Sequence, residues 1–283
     1  WYDFFWEDDD RMTFFQSDFI SFYKKLFSPM SSTFKKWILI LLSELLKADG
    51  NFTETKQAWS EGLKIDLGLD NIDGDSFTGK QKVTYDSGNT YEGDFINGIK
   101  QGKGIFIWTD GDQYEGDWVN GEKDGKGVFT YASGNKYEGD WVDGERDGKG
   151  VLNYASGNKY EGDWVDGSKH GRGIFTYKSG NKYEGDWVND KMMGKGTFTW
   201  SDGEKYDGDF NNGKMTGKAV YLYANGNKYE GDWVNGKKEG KGVLIYKSGD
   251  KYEGDYISNK TEGIGIYTWT EGDQYEGDWV NGK

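Results

Sequence analysis

The sequence has no cysteine, a single proline and a single histidine among its 283 residues. Without cysteine there is no disulfide framework, no cysteine nucleophile and no thiolate metal site, and one histidine excludes a histidine-based zinc cluster. Acidic residues outnumber basic ones, for a formal net charge of −14. This charge argues against nucleic acid as the main partner, because phosphate binding needs a basic surface. No apolar run reaches the roughly 20 residues that span a bilayer.

Aliphatic residues are also scarce, and this scarcity alone would suggest disorder. Leu, Ile, Val and Phe together make up less than a fifth of the chain, which with a high net charge is typical of disordered sequences. Aromatic residues, however, supply 17% of the chain, and there are 45 glycines. Disordered chains are poor in aromatic residues. We therefore expect a folded protein that packs around rings and glycines.

An internal repeat of 23 residues dominates the sequence. Similarity at a fixed period of this length indicates units that pack against their neighbours. The repeat separates an array over 81–283, with eight full units and partial units at both ends, from an N-terminal part of different composition. The motif Tyr-(Glu/Asp)-Gly-Asp-aromatic begins, without any insertion, at Tyr91, Tyr114, Tyr137, Tyr160, Tyr183, Tyr206, Tyr229, Tyr252 and Tyr275.

Each unit has the pattern of a β-hairpin, as residues 136–159 illustrate. The alternation over 136–142 places Tyr137, Gly139 and Trp141 on one face and Glu138, Asp140 and Val142 on the other. Gly-Asn then suits the positive φ angles of a tight hairpin turn. We interpret 143–148 as a loop, 149–154 as the return strand and 156–159 as this turn.

A glycine between the tyrosine and the large aromatic residue lets neighbouring rings lie on bare backbone. Columns of rings can then replace the usual aliphatic core, at about 0.5–1.5 kcal/mol per ring pair beyond the buried area. The predicted fold class is mostly β: an elongated, single-layer antiparallel β-hairpin solenoid, preceded by a small α-helical region.

The repeat resembles the MORN (membrane occupation and recognition nexus) repeat over about two-thirds of the chain. The resemblance implies an open, groove-bearing β-solenoid that mediates protein association, in some members with phospholipid contact. Such arrays occur in radial-spoke heads of cilia, in junctional membrane tethers, and beside catalytic domains of some lipid kinases and lysine methyltransferases. The pattern Tyr-x-Gly-x-Trp-x-x-Gly-x-x-x-Gly-x-Gly is complete at Tyr114, Gly116, Trp118, Gly121, Gly125 and Gly127. The units depart from it at Phe95, Phe210, Tyr256, Asp190, Asn259 and Ala219.

Candidate catalytic residues do not support an enzyme. His170 stands in a variable loop position that other units fill with Asp124, Asp147 or Glu239. The Glu and Asp pairs recur in every unit, whereas a catalytic acid–base pair is unique, so with the nearby lysines they indicate a solvated charged face. Gly-Lys-Gly triplets lack the Ser/Thr and the following helix of a P-loop. We predict no catalytic residue, no metal site and no cofactor.

Residues 1–62 have aromatic and aliphatic residues at helical spacing, and 63–80 read as a linker. We predict a helical cap or docking region, with a docking helix that carries Trp37, Leu41, Leu42 and Leu45. The same helix could lie on a membrane surface, although the net negative charge disfavours anionic lipid. The first residue is not Met and the last unit is partial, so we expect a fragment or a processed form.

The aromatic face is the feature that suggests a binding function, because Tyr and Trp dominate interface hot spots. We predict a non-enzymatic scaffold or structural subunit, cytoplasmic and part of a ciliary or cytoskeletal assembly, whose partners are proteins and not nucleic acid. The alternatives are a peripheral membrane tether that uses the helix around Trp37–Leu46, and a regulatory part of a longer enzyme. A partner helix or extended peptide would contact an aromatic groove formed by Tyr114, Trp118, Tyr137, Trp141, Tyr160, Trp164, Tyr183, Trp187, Tyr229 and Trp233.

Overall fold

The computed structural model describes residues 78–283, which form one antiparallel sheet of eighteen strands. The expectation of a mostly β, single-layer antiparallel fold is confirmed for this part of the chain. In the described part, no helix is long and apolar enough to cross a membrane. The strands are β1 (Gly79–Thr84), β2 (Thr90–Ile96), β3 (Ile99–Ile107), β4 (Gln113–Val119), β5 (Glu122–Thr130), β6 (Lys136–Val142), β7 (Glu145–Asn153), β8 (Lys159–Val165), β9 (Ser168–Thr176), β10 (Lys182–Val188), β11 (Lys191–Thr199), β12 (Lys205–Asn211), β13 (Lys214–Leu222), β14 (Lys228–Val234), β15 (Lys237–Ile245), β16 (Lys251–Ile257), β17 (Lys260–Thr268) and β18 (Gln274–Trp279).

The predicted helical region 1–62, and with it Trp37, Leu41, Leu42 and Leu45, lies outside the described residues. The same holds for the predicted linker 63–80 up to residue 77. Its last two residues, Gly79 and Lys80, are already in β1.

Strands that follow one another in sequence pair with one another in the sheet. Within a unit, β6 pairs with β7 so that Tyr137 lies opposite Leu152 and Gly139 opposite Gly150. Between units, β7 pairs with β8 in the same way, with Gly150 opposite Gly162. The glycines therefore form a row across the sheet that only Ala219 interrupts within the described residues, and the constant 23-residue spacing keeps each column of side chains in line.

The two strands of a unit are joined by a two-residue turn, not by the predicted loop over 143–148. Asp143 and Gly144 have φ angles of 47° and 85°, the two positive values of a type I′ hairpin turn. The return strand β7 consequently begins at Glu145. Where the glycine is missing, Asp190 and Asn259 adopt φ of 65° and 73°, since Asp and Asn tolerate the left-handed region better than other side chains.

Successive units are joined by five residues, as from Tyr154 to Asn158. The Tyr154 N–H donates to the Asn158 carbonyl, and the Gly157 N–H to the Tyr154 carbonyl, both at 2.9 Å. Gly157 has a φ of 91° but Asn158 is not in the left-handed region, which corrects the predicted Gly-Asn turn. The Asn158 side chain instead accepts the Lys178 N–H of the next connection at 2.9 Å. This hydrogen bond ties one unit to the next.

A β-bulge interrupts the pairing within each unit, and an aspartate stabilises it. In β6, Asp140 Oδ2 accepts the Lys149 N–H at 2.9 Å, and Oδ1 pairs with the Lys126 ammonium of the preceding unit. Burial alone would raise the pKa of Asp140, but these two partners hold that pKa below its ordinary value. The motif aspartates thus fix the strand geometry and do not merely cover a solvated face.

Candidate partner-binding groove

The ten aromatic residues predicted to contact a partner form the core of the sheet. Rings of successive units cover one another on a single face, so a second layer is not needed to bury them. On that face a further column of rings is partly accessible: Trp108, Tyr131, Tyr154, Tyr177, Trp200, Tyr223 and Tyr246. Of the ten predicted residues, the tyrosines are 0% exposed and the tryptophans are 2–5% exposed. They are Tyr114, Trp118, Tyr137, Trp141, Tyr160, Trp164, Tyr183, Trp187, Tyr229 and Trp233.

In every full unit except that of Tyr206, the motif tyrosine lies against a pair of glycines in neighbouring strands. A Cβ added at Gly150 would stand 2.5 Å from the Cε2 and Cζ atoms of Tyr137, so the ring occupies the space of the missing side chain. The Tyr137 hydroxyl donates to the Asp140 carbonyl at 2.9 Å. Burial raises the pKa of Tyr137 above its ordinary value. The glycine row and the tyrosine column therefore depend on each other.

Each motif tryptophan connects two units. The Trp164 ring meets Tyr160 of its own unit edge-on, with centroids 5.1 Å apart, and Tyr137 of the preceding unit at 5.3 Å. Its indole N–H donates to the Gly150 carbonyl at 3.2 Å. Edge-to-face pairs at these separations are favourable, so the alternating Tyr and Trp rings form the continuous core of the array.

A column of cations covers this aromatic core. Lys123 Nζ lies 4.0 Å from the Trp141 ring centroid, and Arg146 Cζ lies 4.3 Å from that of Trp164, within the range of cation–π attraction. Arg146 also donates to the Gly167 carbonyl at 2.5 Å. In two later units, Met192 and Met215 take this place in the sequence. Sequence reasoning missed the column because it assigned 143–148 to a loop.

Replacing Lys123 with methionine is expected to stabilise the protein slightly at neutral pH. Burial lowers the pKa of Lys123 from 10.5 to about 8, although Glu145 partly offsets this. At a pH below the pKa of Lys123 in the folded protein, the lysine is charged in both the folded and the unfolded protein, and only the folded protein bears the cost of desolvating that charge. Between the pKa of the folded protein and that of the unfolded protein, Lys123 is neutral when folded and charged when unfolded. The free energy of unfolding of the wild type therefore increases as the pH rises through this range. The variant's advantage, on the order of 1 kcal/mol at neutral pH, should shrink above the folded pKa.

Urea unfolding of both proteins at neutral and at mildly alkaline pH measures this difference. The control is Lys136→Met, because Lys136 is an exposed lysine on β6 and its replacement removes the same charge without removing a buried cation. A Lys123→Met variant that is less stable than wild type at both pH values would show that attraction to the Trp141 ring outweighs desolvation.

The opposite face of the sheet carries an open groove of about 1570 Å³, which crosses strands β1 to β10. We call it the outer groove. The backbone of the paired glycines forms its floor. Three rows of side chains line it: an acidic row (Glu92, Glu115, Glu138, Glu161, Glu184), a basic row (Lys103, Lys126, Lys149, Arg172) and an aliphatic row (Ile105, Val128, Val151, Ile174).

Ion pairs neutralise most of the charge in the outer groove. Each member of the basic row pairs with an aspartate of the following unit, as Arg172 does with Asp186 at 3.1 Å. Two glutamates pair with lysines of their own strand, but no ion pair among residues 78–283 involves Glu115 or Glu138. Since exposed ion pairs each contribute little, the groove can exchange them for contacts to a partner at small cost.

His170 lies in β9, opposite Asp163, and is half-buried; it is a strand residue and not the loop residue that the sequence suggested. Among residues 78–283, no group of three or more His, Asp or Glu side chains is placed to hold a metal ion.

A hairpin unit that repeats without interruption, with a tyrosine on a glycine pair in seven of the eight full copies, defines a β-repeat protein. The chain belongs to the MORN repeat family, which confirms the resemblance seen in the sequence. Nine consecutive copies match the family's repeat, at residues 91–113, 114–136, 137–159, 160–182, 183–205, 206–228, 229–251, 252–274 and 275–283.

Several solved structures are similar to part of this chain at low sequence identity. The TCP10 domain of CPAP from Danio rerio, in complex with a peptide of STIL, is 12% identical, with 71% of this chain and 94% of that chain covered and a TM-score of 0.41. The TCP domain of SAS-4 (dCPAP) from Drosophila melanogaster, in complex with a proline-rich motif of Ana2, is 9% identical, with 71% and 90% covered and a TM-score of 0.33. No curated protein matches the sequence.

Proposed function

We propose that this protein is a non-enzymatic scaffold whose MORN array binds a segment of a partner protein in the outer groove. The observation that carries this proposal is the groove itself, which opens over ten strands and presents the same three rows of side chains at each unit. Small-molecule sites are enclosed and bury most of their ligand. A long open groove of constant composition suits a long regular polypeptide segment instead.

The pitch of the array favours a partner segment that runs across the strands. Two strands separate equivalent positions of successive units, a distance of roughly 9.6 Å at normal strand spacing. A helix rises about 10.5 Å in seven residues, and an extended peptide in the polyproline II conformation, with three residues per turn, rises about 9.3 Å per turn. Either a helix or an extended peptide can therefore place one similar side chain at each unit, over the roughly 45 Å that ten strands span.

The composition of the groove indicates the chemistry of that segment. The aliphatic row, with Val128 and Val151, would contact apolar side chains, and the unpaired Glu115 and Glu138 would favour Lys or Arg nearby. The aromatic column on the other face would contribute by holding the groove in shape. A ciliary or cytoskeletal assembly in the cytoplasm is the setting that we propose, on family resemblance.

Affinity purification with quantitative mass spectrometry tests the proposal. The variant Val128→Lys, Val151→Lys, Ile174→Lys adds three charges to the aliphatic row and is expected to lose partner proteins that the wild-type chain retains. Thr197 stands in the same column, so a polar side chain is compatible with the fold at this position. Circular dichroism confirms that the variant is folded.

The matched control is Val220→Lys, Val243→Lys, Ile266→Lys. These residues occupy the same column in three later units, outside the residues that line the described groove, so the partners should be retained. The proposal fails if both triple variants keep the same partners or lose them equally while folded.

The membrane tether remains a prediction, because the helix around Trp37–Leu46 lies outside the described residues. Liposome co-sedimentation of the wild-type chain, lost in a Leu41→Glu, Leu42→Glu variant, would support it. Absence of wild-type binding would end it.

A further inference from the structure

A stripe of aliphatic side chains lies exposed beside the tight turns, on the same face as the outer groove. In each unit it is the residue after the motif aromatic, which alternation directs away from the core. These aliphatic side chains are between 40% and 61% exposed, although aliphatic residues are scarce in this chain. The sixth unit has Asn211 at this place. The others are Ile96, Val119, Val142, Val165, Val188, Val234, Ile257 and Val280.

A second column stands directly opposite this one across each tight turn, as Glu145 does to Val142. Its charge changes sign along the array. The second and third units carry glutamate and the fourth serine, whereas the next four all carry lysine: Glu122, Glu145, Ser168, Lys191, Lys214, Lys237 and Lys260. We call the two columns together the turn-edge stripe.

Three of the four lysines of this stripe have no acidic partner among the described residues, and the fourth, Lys260, donates to the Asn281 side chain at 3.1 Å. No ion pair within residues 78–283 involves Lys191, Lys214 or Lys237, whereas the lysines of the groove are paired with aspartates. Nor does the hairpin geometry select lysine, because units with Glu145 and with Lys191 have the same turn and the same strand lengths. The tight turn therefore does not select the charge of this column, and its lysines are available to a partner.

A second copy of this chain fits the stripe in both charge and spacing. Its unit pitch is identical, so contacts made at one unit can recur at every other unit. In an antiparallel pair with the two-fold axis at β10, Glu145 would face Lys214 and Glu122 would face Lys237. Val142 would then face Val234, and Val119 would face Ile257. Every contact occurs twice, as in an isologous interface.

We propose that the protein self-associates as an antiparallel pair through the turn-edge stripe. A parallel pair in register would place lysine on lysine and glutamate on glutamate, which repulsion disfavours. Exposed ion pairs each contribute about 0.2–1 kcal/mol, so the association depends on the aliphatic contacts and should be weaker at high salt.

Charge exchange on the full chain tests the proposal by sedimentation velocity. In the variant Lys214→Glu, Lys237→Glu, both halves of the turn-edge stripe carry glutamates at the paired positions. In the variant Glu122→Lys, Glu145→Lys, both halves carry lysines at these positions. Each alone should be monomeric, with a dissociation constant raised at least about tenfold. An equimolar mixture of the two should associate again, because acidic halves then face basic halves. Lysine already fills this column in four units, so the second variant is compatible with the fold.

The control variant, Lys178→Glu, Lys247→Glu, makes the same change of charge in the five-residue connections at the other edge and should associate like wild type. A wild-type chain that stays monomeric at about 100 μM and low salt, or a mixture that does not associate, overturns the proposal. Wild-type self-association that both charge variants retain would also overturn it. None of these variants alters the outer groove, so the result is independent of partner binding there.

Discussion

Alkaline pH is expected to unfold the sheet cooperatively, beginning just above pH 10. Burial raises the pKa of the motif tyrosines in the folded chain, to about 12 for Tyr206 and higher for others such as Tyr137 and Tyr160. In the unfolded chain they ionise near the ordinary value of 10.0. A group that binds its proton more tightly in the folded state destabilises that state as the pH rises above its unfolded pKa.

The number of equivalent tyrosines makes this effect large. Each one that is protonated when folded and ionised when unfolded removes about 1.4 kcal/mol of stability per pH unit. Seven such tyrosines together would remove roughly 10 kcal/mol per unit, which equals the whole stability of a typical domain. These are Tyr91, Tyr114, Tyr137, Tyr160, Tyr183, Tyr206 and Tyr229.

Phenolate absorbance and far-ultraviolet circular dichroism, recorded together against pH, measure this transition. Both signals should change in one step. A Tyr137→Phe, Tyr160→Phe variant, which loses the two hydroxyl-to-carbonyl bonds of 2.9 Å, should show a shallower pH dependence, by about 3 kcal/mol per unit. Tyrosines that ionise near pH 10 while the sheet persists would contradict the burial of these hydroxyls.

Periodicity was sufficient to predict which residues share a face, but not which face is accessible. Alternation placed Tyr137 and Trp141 together, opposite Glu138 and Val142, and the structure agrees. Their burial, however, depends on rings from the adjacent unit, since Trp164 covers Tyr137 at 5.3 Å. Contacts between units depend on strand pairing and twist, which a one-dimensional pattern does not contain. The accessible groove consequently lies on the face that was interpreted as merely solvated.

The turns show a different limit. Asp143-Gly144 carries one of the strongest local signals for a two-residue hairpin, yet the next glycine, Gly148, suggested a loop over 143–148. In the structure Gly148 is in a bulge, with a φ of 101°, held by the side chain of Asp140. One glycine-rich segment therefore contains a turn, a strand and a bulge. The hydrogen bond that distinguishes them joins residues nine positions apart.

Gly150→Ala is expected to destabilise the centre of the array by about 3 kcal/mol or more. The added methyl group would lie 2.5 Å from two carbons of the Tyr137 ring. That ring cannot withdraw, because its hydroxyl is bonded to the Asp140 carbonyl and Trp141 and Trp164 pack against it at 5.2 and 5.3 Å. Hydrogen exchange resolved along the chain is the appropriate measurement, because a repeat array can open locally. Protection should fall first in β6 to β8.

The sixth unit supplies the matched control, because Ala219 already occupies this column opposite Gly231. There the indole N–H of Trp233 is buried without a partner, whereas Trp164 donates to the Gly150 carbonyl at 3.2 Å. Ala219→Gly should let Trp233 regain this bond and stabilise the unit by about 1 kcal/mol, less the entropic cost of glycine. Destabilisation by Gly150→Ala together with stabilisation by Ala219→Gly would establish that packing of the tyrosine rings on glycine backbone stabilises the array. If Gly150→Ala were as stable as wild type, the tyrosine column would not depend on the glycine row.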